Sequence, residues 1–401
     1  MKIRTKHLTL PKAFFASGMY SGVKKRKVCD LSILYSSKPA VAAGVFTKNK
    51  VTAWNVKFCK KIIRQKNHRA IVTSSGNANC VNGPSGKVTV ERIANATTRF
   101  LEVKPKQVFV CATGIIGKVF PTDRVVKAIP RLVSTLSTKG GHNAALGILT
   151  TDKKTKEITV ETSIGGKKVT FCAFAKGAGM LHPNMATMLA YVATDAAISK
   201  SLLHTALKQA ANQSFNKMCV DNDMSTNDTV LVLANGAAEN KTITQKGADF
   251  KKLYAALEAI CIYIAKEMVR DGEGVSHVCE IQVQGAKSEE EAVAAGRALG
   301  TSMLFKTMLA GCDPNWGRII GALGSAPKVT ANSENISLWI GEEPVLKKGK
   351  HIARFTGRLH RILKQKEYVI RIDLHHGKAK SAFWTSDLTK KYVHINAAYS
   401  T

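Results

Sequence analysis

Apolar positions along this chain follow two different rhythms. In the first half they come as short runs that end in Gly, Asn, Ser or Thr. "RAIVTSSGNANCVNG" reads as a buried strand through Val72 followed by a polar glycine loop. "QVFVCATGIIG" reads as a strand through Cys111 with a turn at Thr113 and Gly114, and "GILTTD" as a third short run closing on Thr150 and Thr151. In the second half the spacing becomes helical. Leu202, Leu203, Ala206, Leu207 and Ala210 share one face behind a capping Ser199. Phe250, Leu253, Leu257, Ile260, Ile264 and Met268 form a stripe that should stop near Gly272. "SEEEAVAAGRALGTSMLFKTML" opens with Ser288 and Glu291 at capping-box spacing, and "HVCEIQVQGA" alternates like a strand. Strands and helices are mixed, which predicts an α/β or α+β chain. No long Pro-, Gly- or Ser-rich linker divides it, so its lobes should pack closely.

Composition narrows the class. The 401 residues are 45% hydrophobic and 22% charged, which is ordinary for a globular protein. The nine cysteines are scattered and form no CxxC pair, as expected of reduced thiols in a cytoplasmic protein. The N-terminus lacks the apolar core of a secretory signal, and no run approaches the ~18 apolar residues of a membrane span. A net charge of +32 is the one departure. Its basic residues are spread out, with modest clusters at 24–27 and 347–366, and no nucleic-acid-binding motif accompanies them. A lysine-rich surface is the expectation, and neither a nucleic-acid nor a membrane partner is.

The motifs for common chemistries are absent. There is no Walker A sequence, dinucleotide fingerprint or GxSxG elbow. His375 and His376 lack nearby carboxylates at ligand spacing and read as surface histidines, so no metal is expected. Asp221, Asp223 and Asp228 in "VDNDMSTND" miss EF-hand spacing and read as buried polar structure. What remains is a set of apolar strands ending in Thr and Gly. Backbone N–H groups at such ends can face a developing oxyanion. "PNMATMLAYVATDA", residues 183–196, places Thr187 after the small Ala186 and after "KGAGM", which carries Lys176. A threonine hydroxyl becomes a useful nucleophile when a base lies within reach, as when a chain break gives it its own α-amine. The dipeptide alone does not separate that role from a packed β-branched residue.

"KGAGMLHPNMATMLAYVATDA" closely resembles the self-cleavage segment of the ornithine acetyltransferase family. The resemblance runs through "SSGNANCVNG", "CATGIIGKVFP", "GILTTD", "VDNDMSTNDTVLVLANG", "VRDGEGVSH", "GCDPNWGRIIGALG" and "YVHINAAYST", in family order and over essentially the whole chain. It implies an N-terminal-nucleophile-like layered α/β sandwich with two closely packed lobes. It implies cleavage between Ala186 and Thr187 into an α chain, residues 1–186, and a β chain, residues 187–401, which stay together and pair into an α2β2 heterotetramer. By the same resemblance Thr187 is the nucleophile and Thr113 and Gly114 form the oxyanion hole. Thr150, Lys176, Thr187, Glu273, Asn396 and Thr401 bind substrate.

The implied reaction carries acetyl from N2-acetylornithine through an ester on Thr187 to L-glutamate, in a ping-pong sequence that needs no cofactor. Acetyl-CoA is a second donor the sequence leaves open. Lys176 suits the α-carboxylate these substrates share. Glu273 would orient the new amine of Thr187 or receive a cationic group of the substrate. His182 and Asn222 depart from the family's usual small residue and glycine, and the tail "YST" lacks its usual basic residue. The alternatives are a self-processing amidohydrolase or aminopeptidase with the same nucleophile, and a polyanion-binding protein that has lost catalysis.

Overall fold

The computed structural model describes residues 1–5, 8–182, 188–352 and 356–398. The chain divides into two compact units. One comprises Met1–Gly177, Met185–Ser214 and Met224–Ile264, the other Ala178–Asn184, Phe215–Asp223 and Ala265–Thr401. Each unit draws on chain from both sides of position 186.

The first unit is organised by one long strand, Leu31–Phe46. Its early residues pair with Phe14–Met19 and with His68–Asn77, and its late residues with Thr229–Ala234. The register shifts between Tyr35 and Ala40, around Pro39, whose missing N–H suits a break in a ladder. The nine-stranded sheet therefore runs Lys2–Arg4, Lys156–Ile164, Lys167–Lys176, Leu189–Thr194, Thr229–Ala234, Leu31–Phe46, His68–Asn77, Val108–Ile115, with Phe14–Met19 beside the long strand. Its two parts share a core. Phe174, Tyr191 and Leu231 from one pack with Phe14, Ile71 and Phe109 from the other. The Thr73 hydroxyl donates to the Tyr191 hydroxyl across that core at 2.8 Å. Helices Gly83–Leu101 and Thr122–Ser134 cover the outer face with Val90, Ile93, Val125, Ile129 and Leu132.

The second unit is a seven-stranded sheet in the order Lys350–His351, Glu343–Lys347, Ser337–Ile340, Glu367–Asp373, Val278–Ala286, Ala379–Ser386, Met218–Cys219. Ile281, Val283, Ile370 and Phe383 of its strands pack with Leu299, Phe305 and Ile319 of the covering helices.

Lys200–Gln213 and Ala248–Arg270 bury the two predicted helical faces, although Ser199 stands at the N-cap of the first without a side-chain capping hydrogen bond. The second ends two residues before Gly272. The segment after Ser288 is two helices, Glu289–Thr301 and Met303–Ala310, because Ser302 supplies a second cap to the Phe305 N–H. The strand "RAIV" continues through Asn77, and "QVFVC" through Ile115, so Thr113 and Gly114 sit on a strand end and not in a turn. The apolar run of "GILTTD" begins in a helix, Gly141–Ile148, with Leu149 as its C-cap. All these are mixed α/β elements in two lobes, as the patterns predict.

Candidate active site

In the first unit, strands His68–Asn77 and Val108–Ile115 run parallel, and their ends are locked together with Ser75 opposite Thr113 and Gly76 opposite Gly114. Thr113 is buried. Gly114 has φ +130°, and a Cβ there would stand 2.3 Å from the Gly76 carbonyl carbon and 2.5 Å from the Asn77 nitrogen. Backbone conformation and backbone contact both exclude any other residue. The Ala78 N–H then donates to the Ile115 carbonyl at 2.9 Å and closes the corner.

Lys176 ends the strand Lys167–Lys176, where the register sets it opposite Leu189, two residues after Thr187 in sequence. It is 3% exposed. Asp152 is the anion at this place. Its side chain is fully buried against the Lys156 ammonium at 2.7 Å. The same carboxylate accepts the Gly177 N–H at 2.7 Å and the Thr150 N–H at 3.1 Å. Burial opposes its charge, but Lys176, Lys156 and the Gly177 N–H together hold its carboxyl far below the usual range. Lys24 completes the cluster by donating to the carbonyls of Cys29 and Leu149, both at 2.8 Å. Burial lowers its pKa most, against the neighbouring Asp30. Thr150 and Lys176, predicted separately, are thus tied to one buried carboxylate that sequence reasoning passed over. Its signal was there: an Asp directly after paired threonines in an apolar context.

In the second unit, Glu273 lies in the turn after helix Ala248–Arg270. Its N–H donates to the Ala178 carbonyl at 2.8 Å, and its carboxylate accepts from the Asn396 amide at 3.0 Å. The fold therefore brings Glu273 and Asn396 together across the sequence. The carboxylate lies against Gly179 of "KGAGM", where a Cβ would be 2.6 Å from Glu273 Cδ. Asp221 holds the next residues by accepting the N–H groups of Met180 at 2.6 Å and Leu181 at 2.8 Å. Burial pushes its carboxyl up despite those bonds. The helix Lys390–Ala398 is seated by the Thr389 hydroxyl on the Gly274 carbonyl at 2.7 Å. Of the apolar residues of this helix, Tyr392 and Ile395 are half-buried. Val393 is exposed.

Ala186, Thr187 and Thr401 lie outside the described residues. His182, half-buried, is the last described residue before them. His375 is exposed, as expected of a surface histidine, and bonds Ser337 at 2.8 Å, whereas His376 is half-buried and bonds Glu291 at 2.9 Å. Of the three aspartates, Asp221 and Asp228 are polar structure as expected, whereas Asp223 is exposed. Among the described residues no cluster of three or more His, Cys, Asp or Glu can hold a metal ion, and no helix is long and apolar enough to cross a membrane.

The sequence matches the ArgJ family over residues 15–401. The arginine biosynthesis bifunctional protein ArgJ of Dehalococcoides mccartyi is 42% identical over 396 residues, spanning 98% of this chain and 97% of that one. Its counterpart in Listeria monocytogenes is 40% identical over 403 residues, with both chains covered in full. A crystal structure of the arginine biosynthesis bifunctional protein ArgJ from Bacillus halodurans is 39% identical, with a TM-score of 0.50 over 51% of this chain and 96% of that one. Matched from residue 15 to residue 401, and at this identity to relatives of its own length, the chain belongs to the ArgJ family, enzymes of arginine biosynthesis.

Proposed function

We propose that this enzyme transfers acetyl from N2-acetylornithine to L-glutamate through an ester on Thr187, after cutting itself between Ala186 and Thr187. In maturation the Thr187 hydroxyl adds to the Ala186 carbonyl carbon and the peptide nitrogen departs. That departure frees the Thr187 α-amine, and water then hydrolyses the ester to give an Ala186 carboxylate and the restored Thr187 hydroxyl. That amine is the base for the second use of the same hydroxyl. Thr187 Oγ attacks the acetyl carbonyl of N2-acetylornithine, and the proton passes through the α-amine to the leaving ornithine nitrogen. Glutamate's α-amine attacks the acetyl ester in turn, giving N-acetylglutamate and restoring Thr187. Thr113 and Gly114 face the oxyanion in each addition. Thr150 and Lys176 receive the substrate carboxylate, and Glu273, Asn396 and Thr401 complete the substrate contacts.

The observation that carries this reading is the near-full-length likeness to proteins named as bifunctional enzymes of arginine biosynthesis. The second function in that name is met here by acetyl-CoA as an alternative acetyl donor to glutamate. The Bacillus halodurans chain adds support, being about half as long as this one, as one product of a cut near the middle would be. The products, residues 1–186 and 187–401, would fold together on an N-terminal-nucleophile-like fold, pair as an α2β2 heterotetramer and act in the cytoplasm without a cofactor.

Intact mass under denaturing conditions tests the cut: two chains are expected, the second beginning at Thr187. Thr187→Ala should remain one chain and transfer nothing, and Thr187→Ser should keep part of both activities. A Thr187→Ala protein that still breaks at this bond refutes self-processing. Release of free acetate with no N-acetylglutamate would make the enzyme an amidohydrolase.

A further inference from the structure

The segment 225–229, which leads into the strand Thr229–Ala234, makes contacts that the reaction as described does not use. Asn227 is buried, and its amide donates to the Ala112 carbonyl at 2.9 Å and the Ala78 carbonyl at 2.6 Å. Ala112 immediately precedes Thr113, and Ala78 is the residue that closes the corner on Ile115. The next residue, Asp228, is also fully buried. Its Oδ1 accepts the Met188 N–H at 3.1 Å, and Met188 directly follows Thr187. The Met188 carbonyl accepts the Thr229 N–H at 3.0 Å, so this residue is held on both sides by the same segment. From there the Leu189–Thr194 strand runs parallel to Thr229–Ala234, with Leu189 opposite Thr229. The Asp228 main chain is fixed in turn, its carbonyl accepting the Thr47 N–H at 3.0 Å. Burial pushes the Asp228 carboxyl well up, against the pull of the Met188 N–H.

We infer that Asn227 and Asp228 are positioning residues for the reaction: one side chain fixes the strand end bearing Thr113 and Gly114, the next fixes the main chain that follows Thr187. Two adjacent residues in one segment would set the spacing between nucleophile and oxyanion donors. This inference rests on the proposed roles of Thr187, Thr113 and Gly114. Neither side chain needs to touch substrate, so their loss should appear in rate and not in substrate affinity.

The test uses the full-length chain with Asp228→Ala, Asn227→Ala and the conservative Asp228→Asn. Cleavage is followed by mass, and acetyl transfer by kcat and KM for both substrates. Each alanine variant should slow cleavage and lower kcat about 10²-fold, as an ångström of misplacement does, with both KM values within about twofold. Asp228→Asn keeps an acceptor for the Met188 N–H and should process and turn over like the parent. Alanine variants with parental kcat, or losses confined to KM, overturn the inference. So does an Asp228→Asn protein that is folded yet uncleaved, and this holds even if the alanine variants fail to fold. A parent chain that neither cleaves nor transfers acetyl removes the functional reading itself, and the inference with it.

Discussion

Gly179→Ala is the sharpest test of the place given to Glu273. The φ of Gly179 lies outside the left-handed region, so the backbone accepts alanine. The obstacle is the Glu273 carboxyl group. An added Cβ would stand 2.6 Å from Cδ, 2.6 Å from Oε2 and 2.8 Å from Oε1, where ordinary contact begins at 3.4 Å. Glu273 must retreat by nearly an ångström. As the far end of a flexible side chain it does so at little cost, so stability should change by less than about 1 kcal/mol. The retreat stretches its 3.0 Å bond from Asn396 beyond hydrogen-bond range. If Glu273 acts at the reacting centre, a shift of that size lowers kcat/KM about 10²-fold. Acetyl transfer measured beside a thermal melt separates the two effects. The double variant with Glu273→Ala should be no slower than Glu273→Ala alone, since both act through one carboxylate. A Gly179→Ala enzyme within twofold of the parent, or a double variant whose losses simply add, would refute the reasoning.

Three further outcomes are expected. Thr113→Val keeps the shape and removes the hydroxyl, so turnover should fall about 10²–10³-fold; unchanged turnover and processing would take Thr113 out of the mechanism. Glu291 is nearly buried, and although burial raises its pKa, the Thr330 N–H, His376 and the Lys287 N–H outweigh this and hold it near about 2 instead of 4.5. Its folded pKa is depressed, so its contribution, on the order of 3 kcal/mol, is present above pH 4.5 and lost as pH falls towards 2; the stability gap to Glu291→Gln in urea melts should close over that range. Deleting residues 397–401 should leave cleavage intact and raise KM for both substrates, and unaltered constants would remove Thr401 from the site.

What was legible in the sequence is what a short stretch of chain can encode. Leu202 to Ala210 and Phe250 to Met268 announce their helices because one buried face repeats every three or four residues. The Ser288 cap is visible for the same reason, although Glu291 does not return to it. Glu291 instead takes the N–H groups of Lys287 at 2.7 Å and Thr330 at 2.8 Å, and a partner forty residues away leaves no local trace. Strand ends were misjudged where polar residues are buried. Thr73, Ser75 and Asn77 look like loop, yet each is enclosed, with the Ser75 hydroxyl satisfied by the Gly147 carbonyl at 2.8 Å. A polar side chain in a strand is indistinguishable from loop until its partner is known.

The candidate site divides along the same line. Resemblance names Thr113, Gly114, Thr150, Lys176, Glu273 and Asn396, since a motif records which residues are present. It does not record what holds them. Asp152 joins Thr150 to Gly177 and stands beside Lys156, Asn227 reaches Ala112, and Asp228 reaches Met188. The contacts of Asp152 with Gly177, Asn227 with Ala112 and Asp228 with Met188 each join main chain to a side chain from elsewhere in the sequence, so neither end alone carries a signature. The glycines make the same point from the other side. Gly114 is fixed by the Gly76 main chain and Gly179 by a carboxylate ninety-four positions away, so each is small because of what approaches it. In this fold the proposed reacting groups are spelled out locally, while the buried polar contacts around their neighbours arise only in the folded chain.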